Sequence, residues 1–286
     1  VSTMPVRLGC VYLPQFAPER IAATARAADA AGLDELWLWE DCFLAGGVSA
    51  AAIALANSER LTVGVGVLPA PLRNVALTAM ELATLHRAFP GRVRTGVGHG
   101  VQNWMEQVGA KVRSPMTLLR EYVACLTALL RGETVTFHGR YVSLEDVTLD
   151  WPPAGSVELL TAAVGPKTLA LSGELSDGTI LTQGTTPDQV RDAITHIAAH
   201  RRHSIVTYVL CAEGDGAAHQ INRELERWNL DPATDVHASG GAADIATSVR
   251  RWVDAGTDTV VLQPPLDARV EDFVRFLGEQ VAPLVR

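Results

Sequence analysis

Short apolar, β-prone runs recur along the whole chain with amphipathic helical stretches between them, and this alternation limits the fold more than any other feature. Eight such runs are read: Val6–Leu13, Glu35–Trp39, Leu61–Val67, Arg92–Val97, Val157–Thr161, Thr179–Thr182, Ile205–Cys211 and Thr259–Leu262. Most are nearly continuously apolar, as expected of parallel strands covered on both faces. Helical stretches are expected at Pro18–Ala31, Ser49–Asn57, Val75–Ala88, Pro115–Leu130, Pro166–Leu175, Pro187–Arg201, Ala217–Arg227, Ala242–Ala255 and Val270–Val281. In the first, Ile21, Ala25, Ala28 and Ala31 share one face, and Gly32 follows as a stop. Thr186 and Gln189 form a capping box around Pro187, and Gly165-Pro166 opens another helix. Eight strands alternating with helices favour a closed (β/α)8 barrel over an open doubly wound sheet. One stretch departs from the alternation. Val135 to Leu149 reads as β-prone residues around the turn Phe137-His138-Gly139-Arg140-Tyr141, an inserted hairpin or loop expected near the barrel mouth.

A chain of 286 residues suits one such barrel, and 48% hydrophobic residues are enough for its core. No repeat, low-complexity stretch or linker divides it, so residues 1–286 are expected to form a single domain. A net charge of −8 disfavours nucleic acid as a partner, because phosphates call for a basic face. Cys10, Cys42, Cys125 and Cys211 have neither metal-site nor disulfide spacing, which fits a reducing compartment. Val1–Leu8 lacks the basic start and long apolar run of a leader, and no apolar run approaches the ~18 residues that span a bilayer. The expectation is a cytoplasmic protein with no membrane partner.

In a barrel of this kind the chemistry gathers just after the strands. Glu40 and Asp41 follow the second run. Leu68-Pro69-Ala70-Pro71 and Arg73 follow the third; a bland turn is the default reading there. Gly96-Val97-Gly98-His99-Gly100 ends the fourth. Its alternating glycines permit close backbone approach, although the spacing is not the dinucleotide fingerprint. A satisfied structural histidine is the competing reading of His99. After the fifth run, Ala162-Ala163-Val164-Gly165-Pro166-Lys167-Thr168 leads small residues into a helix N-terminus, which favours an anion. Gln183-Gly184-Thr185-Thr186 after the sixth is a second corner of this type, and the pair would suit a phosphorylated cofactor. Trp39, Phe43, Trp104, Phe137 and Tyr141 are candidates for an apolar pocket, with core packing as the alternative.

Taken in order, Leu36–Asp41, Leu61–Val67, Arg92–Gly100, Arg131–Tyr141, Ala162–Lys167 and Ser176–Gly178 resemble the luciferase-like monooxygenase superfamily along nearly the whole chain. The resemblance implies a bacterial-luciferase-like barrel with an isoalloxazine or deazaflavin ring across its mouth. It implies a bulge with a non-proline cis peptide at the end of the third strand, around Val67-Leu68 or displaced to Pro69, with Leu68 among the cofactor contacts. Gly98, His99, Gly100 and Gln102 match one cofactor-contact segment of the family, and Ala163, Val164, Gly165, Pro166 and Lys167 match another. Many relatives place an acid followed by histidine after the second strand. Here the acid aligns with Glu40, and Asp41 stands where the histidine would be, so Asp41, Glu40 and His99 are the catalytic candidates.

The resemblance implies an oxidoreductase using coenzyme F420 for hydride transfer to or from a small organic substrate. The alternatives are an FMN-dependent monooxygenase and a barrel that binds cofactor without catalysis. An Arg- and Ala-rich composition fits GC-rich bacteria, in which this coenzyme is common. Arg73, Arg113 and Arg140 are candidates for an acidic cofactor tail. A metal-dependent hydrolase would need more strand-end ligands than Asp41, Glu40 and His99, so no metal is expected. A homodimer is implied by the family.

Overall fold

The computed structural model describes residues 6–286; the stretch read for a leader, Val1–Leu8, lies mostly outside the described residues. Its elements in order are β1 (Arg7–Tyr12), α1 (Ile21–Ala30), β2 (Glu35–Leu38), α2 (Gly47–Ala56), β3 (Thr62–Pro69), α3 (Val75–Ala88), β4 (Val93–Gly98), α4 (Gln102–Gln107) and α5 (Pro115–Leu130). They continue with β5 (Val135–His138), β6 (Ser143–Val147), β7 (Leu159–Ala162), α6 (Pro166–Leu175), β8 (Gly178–Leu181), α7 (Pro187–Ile197) and β9 (Ser204–Glu213). Last come α8 (Ala217–Arg227), β10 (His237–Gly240), α9 (Ala242–Asp254), β11 (Thr259–Gln263) and α10 (Val270–Phe276), which runs through a π turn into α11 (Ala282–Val285).

Eight parallel strands close in the order β1-β2-β3-β4-β7-β8-β9-β11, with β11 pairing back to β1 and β8 to β9. The expected (β/α)8 barrel is present, and each of the eight apolar runs supplies one of its strands. No helix among the described residues is long and apolar enough to cross a membrane.

Strand alternation decides which side chains face the axis. At the N-terminal end of the barrel these are charged. The Arg94 guanidinium meets Glu35 at 3.0 Å and Glu158 at 2.7 Å, and donates to Thr259 at 3.0 Å. Arg7 reaches Glu35 at 2.9 Å, and the Trp37 indole N–H donates to the same carboxylate at 2.6 Å. Glu35 is completely buried, so this network closes the base of the barrel with its charges compensated. One layer higher the axis is filled by Trp37, fully buried, in space that Gly9, Gly64 and Gly66 leave open. A Cβ on Gly64 would overlap the Trp37 ring.

Three features depart from the sequence reading. The segment Gln102–Gln107 is a short helix. β9 runs ten residues, past the barrel wall, and its end pairs in parallel with β10. This extension, α8 and β10 enclose a small apolar cluster of Leu210, Ala212, Ile221, Leu225 and Val236 beside the mouth. The helix expected to reach Arg201 ends at Ile197, where Ala198 turns left-handed.

The inserted hairpin is β5 and β6, paired antiparallel. Glu121 on α5 holds its turn, accepting from the backbone N–H groups of Arg140, Tyr141 and Val142 at 2.8, 2.8 and 3.0 Å. Burial pushes the Glu121 pKa up, but those three donors outweigh it and hold the carboxyl below its usual range. The turn packs beside Ala70–Val75 at the rim and does not wall the central cavity.

Candidate active site

At the C-terminal ends of the strands lies a cavity of about 490 Å³. β2 ends into Trp39, Glu40 and Asp41 on its wall. Asp41 makes no side-chain hydrogen bond or ion pair among the described residues, and burial pushes its pKa up to about 6. Glu40 is held differently. Its carboxylate accepts from Arg73 at 2.9 and 3.0 Å and from the Gly47 backbone N–H at 2.6 Å, and Arg73 also pairs with Glu81. Of the two carboxylates only Asp41 has no side-chain partner among the described residues. Arg73, considered for an acidic tail, is committed to this pair of glutamates, and Arg113 and Arg140 stand outside the cavity wall.

β3 ends in an irregularity. Its register with β4 shifts between Val65 and Leu68, and the Gly66–Val67 peptide is cis. The family feature is therefore present one bond earlier than Val67-Leu68. The shift turns Val67 into the cavity and leaves Leu68 in the core at 1% exposure, so the shelf residue is Val67 and Leu68 is not on the wall. The Tyr208 hydroxyl donates to the Gly66 carbonyl at 3.1 Å and fixes the shelf from below.

β4 delivers Gly98, His99 and Gly100 to the wall. A Cβ on Gly98 would press on Val67 at 3.0 Å, so that glycine makes room for the shelf. His99 Nε2 lies 3.3 Å from the Thr168 hydroxyl, and its Nδ1 is buried without a partner. Burial lowers the His99 pKa and the Pro115 carbonyl opposes this, leaving the ring neutral near pH 7. Gln102 is not on the wall. Its amide donates to the carbonyls of His99 and Gly100 at 3.4 and 3.3 Å and so braces the loop.

β7 and the start of α6 bring Ala163, Val164, Gly165 and Thr168 to the cavity, while Pro166 and Lys167 lie just outside it, exposed on the first turn. No side chain caps the α6 N-terminus, and a Cβ on Gly165 would meet nothing within 4 Å. The first-turn N–H groups are thus open to an anion. The other corner is closed. Thr186 caps Gln189 N–H, and the Gln189 amide oxygen accepts from Thr186 N–H at 2.8 Å. Only one of the two expected anion corners is open.

Trp39 and Trp104 line the cavity, whereas Phe43, Phe137 and Tyr141 do not. Thr182, Tyr208 and Trp228 complete the wall without having been singled out from the sequence. Tyr208 reads as core because it lies mid-strand. Trp228 lies in the loop between α8 and β10, whose position over the mouth follows from the β9 extension. Neither has a motif; an aromatic on an inward-facing strand position was the one available signal.

A profile of the family described as luciferase-like monooxygenase matches residues 2–258. The chain is 24% identical to the 5,10-methylenetetrahydromethanopterin reductase of Methanolobus tindarius, over 96% of this chain and 98% of that protein. It is 34% identical to the F420-dependent glucose-6-phosphate dehydrogenase of Kineococcus radiotolerans, over 64% of this chain and 58% of that relative's length. Its fold is similar to the coenzyme F420 dependent tetrahydromethanopterin reductase of Methanopyrus kandleri, with a TM-score of 0.85, 19% identity, and coverage of 99% of this chain and 100% of the other.

Proposed function

The chain belongs to the luciferase-like monooxygenase family, and we propose that it is an oxidoreductase that moves a hydride between coenzyme F420 and a small organic substrate. The observation that carries this is the unpaired Asp41 carboxyl, with its pKa near 6, in a cavity whose neighbouring wall, from β3 and β4, is apolar. Relatives named for the same coenzyme support the choice of cofactor.

The residues present fit such a group. Val67, Pro69, Gly98 and Val101 offer a flat apolar face for a ring. The uncapped start of α6, the open space at Gly165 and the neighbouring Lys167 suit a phosphate. When bound, the coenzyme supplies the site that accepts or gives a hydride. In the oxidation direction the substrate C–H bond breaks with its electron pair leaving as hydride, and the O–H proton passes to the Asp41 carboxylate. Reduction reverses both movements. His99, neutral and linked to Thr168, orients groups at the shelf and carries no charge. Tyr208 positions Gly66 and through it Val67. The apolar wall excludes water around the reacting carbon.

Residues 1–286 act in this reading as one domain, in the cytoplasm, on a small molecule and not a nucleic acid. A homodimer is also proposed. Phe43, Leu44, Leu72, Leu77 and Met80 expose a run of apolar side chains between the β2–α2 loop and α3, 36% to 63% accessible each. Sedimentation velocity is expected to give twice the chain mass, and Met80→Asp with Leu77→Asp to give the monomer; a monomeric wild type removes this part of the proposal.

Fluorescence titration with coenzyme F420 and, separately, FMN tests the cofactor. Micromolar or tighter binding of coenzyme F420 with weaker FMN binding is expected. Preferential FMN binding replaces the reading with a monooxygenase, and binding of neither replaces it with a barrel that has lost its cofactor.

A further inference from the structure

Part of the cavity wall is an aromatic arc. Trp39 stands between Tyr208 and Trp228, with ring centroids 5.3 Å apart for Trp39–Tyr208 and 6.0 Å for Trp39–Trp228. Thr182 and Gln183 add neutral polar groups beside them. No lysine or arginine lines the cavity. Of the arginines nearest in sequence to the wall, Arg73 is bound to Glu40 and Glu81, and Arg227 faces Glu224 at 3.7 Å. Lys167 lies outside the wall, exposed on the first turn of α6. Of the two carboxylates on the wall, Glu40 is paired with Arg73, and Asp41 has no cation beside it.

We propose that this arc is a substrate subsite for an uncharged, ring-bearing alcohol or ketone, and that it excludes phosphorylated sugars. The proposal rests on the oxidoreductase reading and names the substrate class for the same cavity. The reasoning is one of charge and shape. A phosphate dianion gives up its hydration on entering a cavity, and only a cation or several aligned donors restore what it loses. In the arc it meets aromatic groups and no cation, while the aligned donors at the start of α6 are assigned to the cofactor's phosphate. It also meets a carboxylate of its own sign in a low-dielectric surround. A neutral ring suffers neither penalty. It packs against Trp228, beside Trp39, and presents a single oxygen toward Asp41. A phosphosugar, the substrate in the names of several relatives, does not suit this wall.

Ligand-detected NMR on the full chain, with and without coenzyme F420, measures the preference directly. The probes are acetophenone, 1-phenylethanol and glucose 6-phosphate. The aromatic alcohol and ketone are expected to bind saturably and at least about tenfold more tightly than the phosphosugar. Trp228→Ala is expected to weaken them about tenfold, the order of one stacked aromatic contact. Trp228→Leu, which keeps the side-chain bulk, serves if the alanine variant melts early. Gln183→Lys is expected to bring in measurable glucose 6-phosphate binding. Phosphosugar binding equal to or tighter than that of the aromatic probes overturns the proposal. So does absence of aromatic binding in both states, or binding unchanged in both Trp228 variants. Aromatic binding that survives while coenzyme F420 fails to bind leaves the subsite standing and removes the cofactor reading instead.

Discussion

At Glu40 and Asp41 the chain places two carboxylates side by side and surrounds them differently. Glu40 is paired with Arg73, while Asp41 faces an apolar cavity with no cation beside it. A pKa near 6 leaves Asp41 mostly ionised at pH 7 and easily protonated just below, the range in which a proton-transfer group works in both directions. In the oxidation direction kcat/KM is therefore expected to rise with pH through about 6 and level off; in reduction it falls over the same range. Asp41→Asn is expected to remove this dependence and lower kcat by about 10²–10⁴-fold. The same group bears on stability. Its folded pKa is raised, so the folded chain binds the proton more tightly than the unfolded chain, and stability declines as pH climbs from about 3.8 to about 6. Asp41→Asn should thus be more stable than the wild type at pH 7.5 by roughly 1–3 kcal/mol, with the gap narrowing toward pH 4. Urea unfolding at several pH values reads this out, and a gap independent of pH would contradict it.

Among the elements, the strands carry the fold's demands in their glycines. Gly64 on β3 faces Trp37 on β2, and any side chain there collides with an indole that has nowhere to move, being fully buried. Gly64→Ala is expected to destabilise the protein by about 1–3 kcal/mol or more. Trp37→Leu in the same background relieves the overlap, so the double variant loses less than the two single losses added. Thermal melts of the three variants check the coupling. This is also the scale at which the sequence was most readable. The eight barrel strands stood out because apolar runs are what two-sided burial requires. β10, with the sequence His237-Ala238-Ser239-Gly240, has no such run. It is a strand only because the end of β9 lies beside it. The six residues of α4 are too few to display a helical period. The strand-end rule points to Asp41, His99 and Ala163–Gly165, all of which line the cavity. Val67 and Leu68 were exchanged because a one-residue register shift reverses which side chain faces in. Trp228 was missed because its place depends on an insertion that no local pattern announces.

Seen whole, the barrel keeps its opposite ends for different purposes. The charged network of Arg94, Glu35, Glu158 and Arg7 closes one end, and the cavity opens at the other. Such separation is expected of this architecture, where the base stabilises and the mouth reacts. Arg94→Met leaves Glu35 buried with a single cation and is expected to cost about 3–5 kcal/mol in urea unfolding. Turnover per folded molecule at low temperature is expected to be close to wild type. An equal loss of turnover and stability would mean that the two ends are coupled.

The β9 extension, α8 and β10 hold one another through their own small apolar cluster, and Trp228 hangs from the loop between them. A wall built in this way behaves like an interchangeable part. Lengthening, shortening or replacing it alters what the mouth accepts while Asp41 and Val67 keep their places at the ends of the barrel strands. Divergence toward new substrates therefore has a route in this chain that leaves the reaction itself untouched, and an engineer seeking a different substrate would begin at residues 214–240.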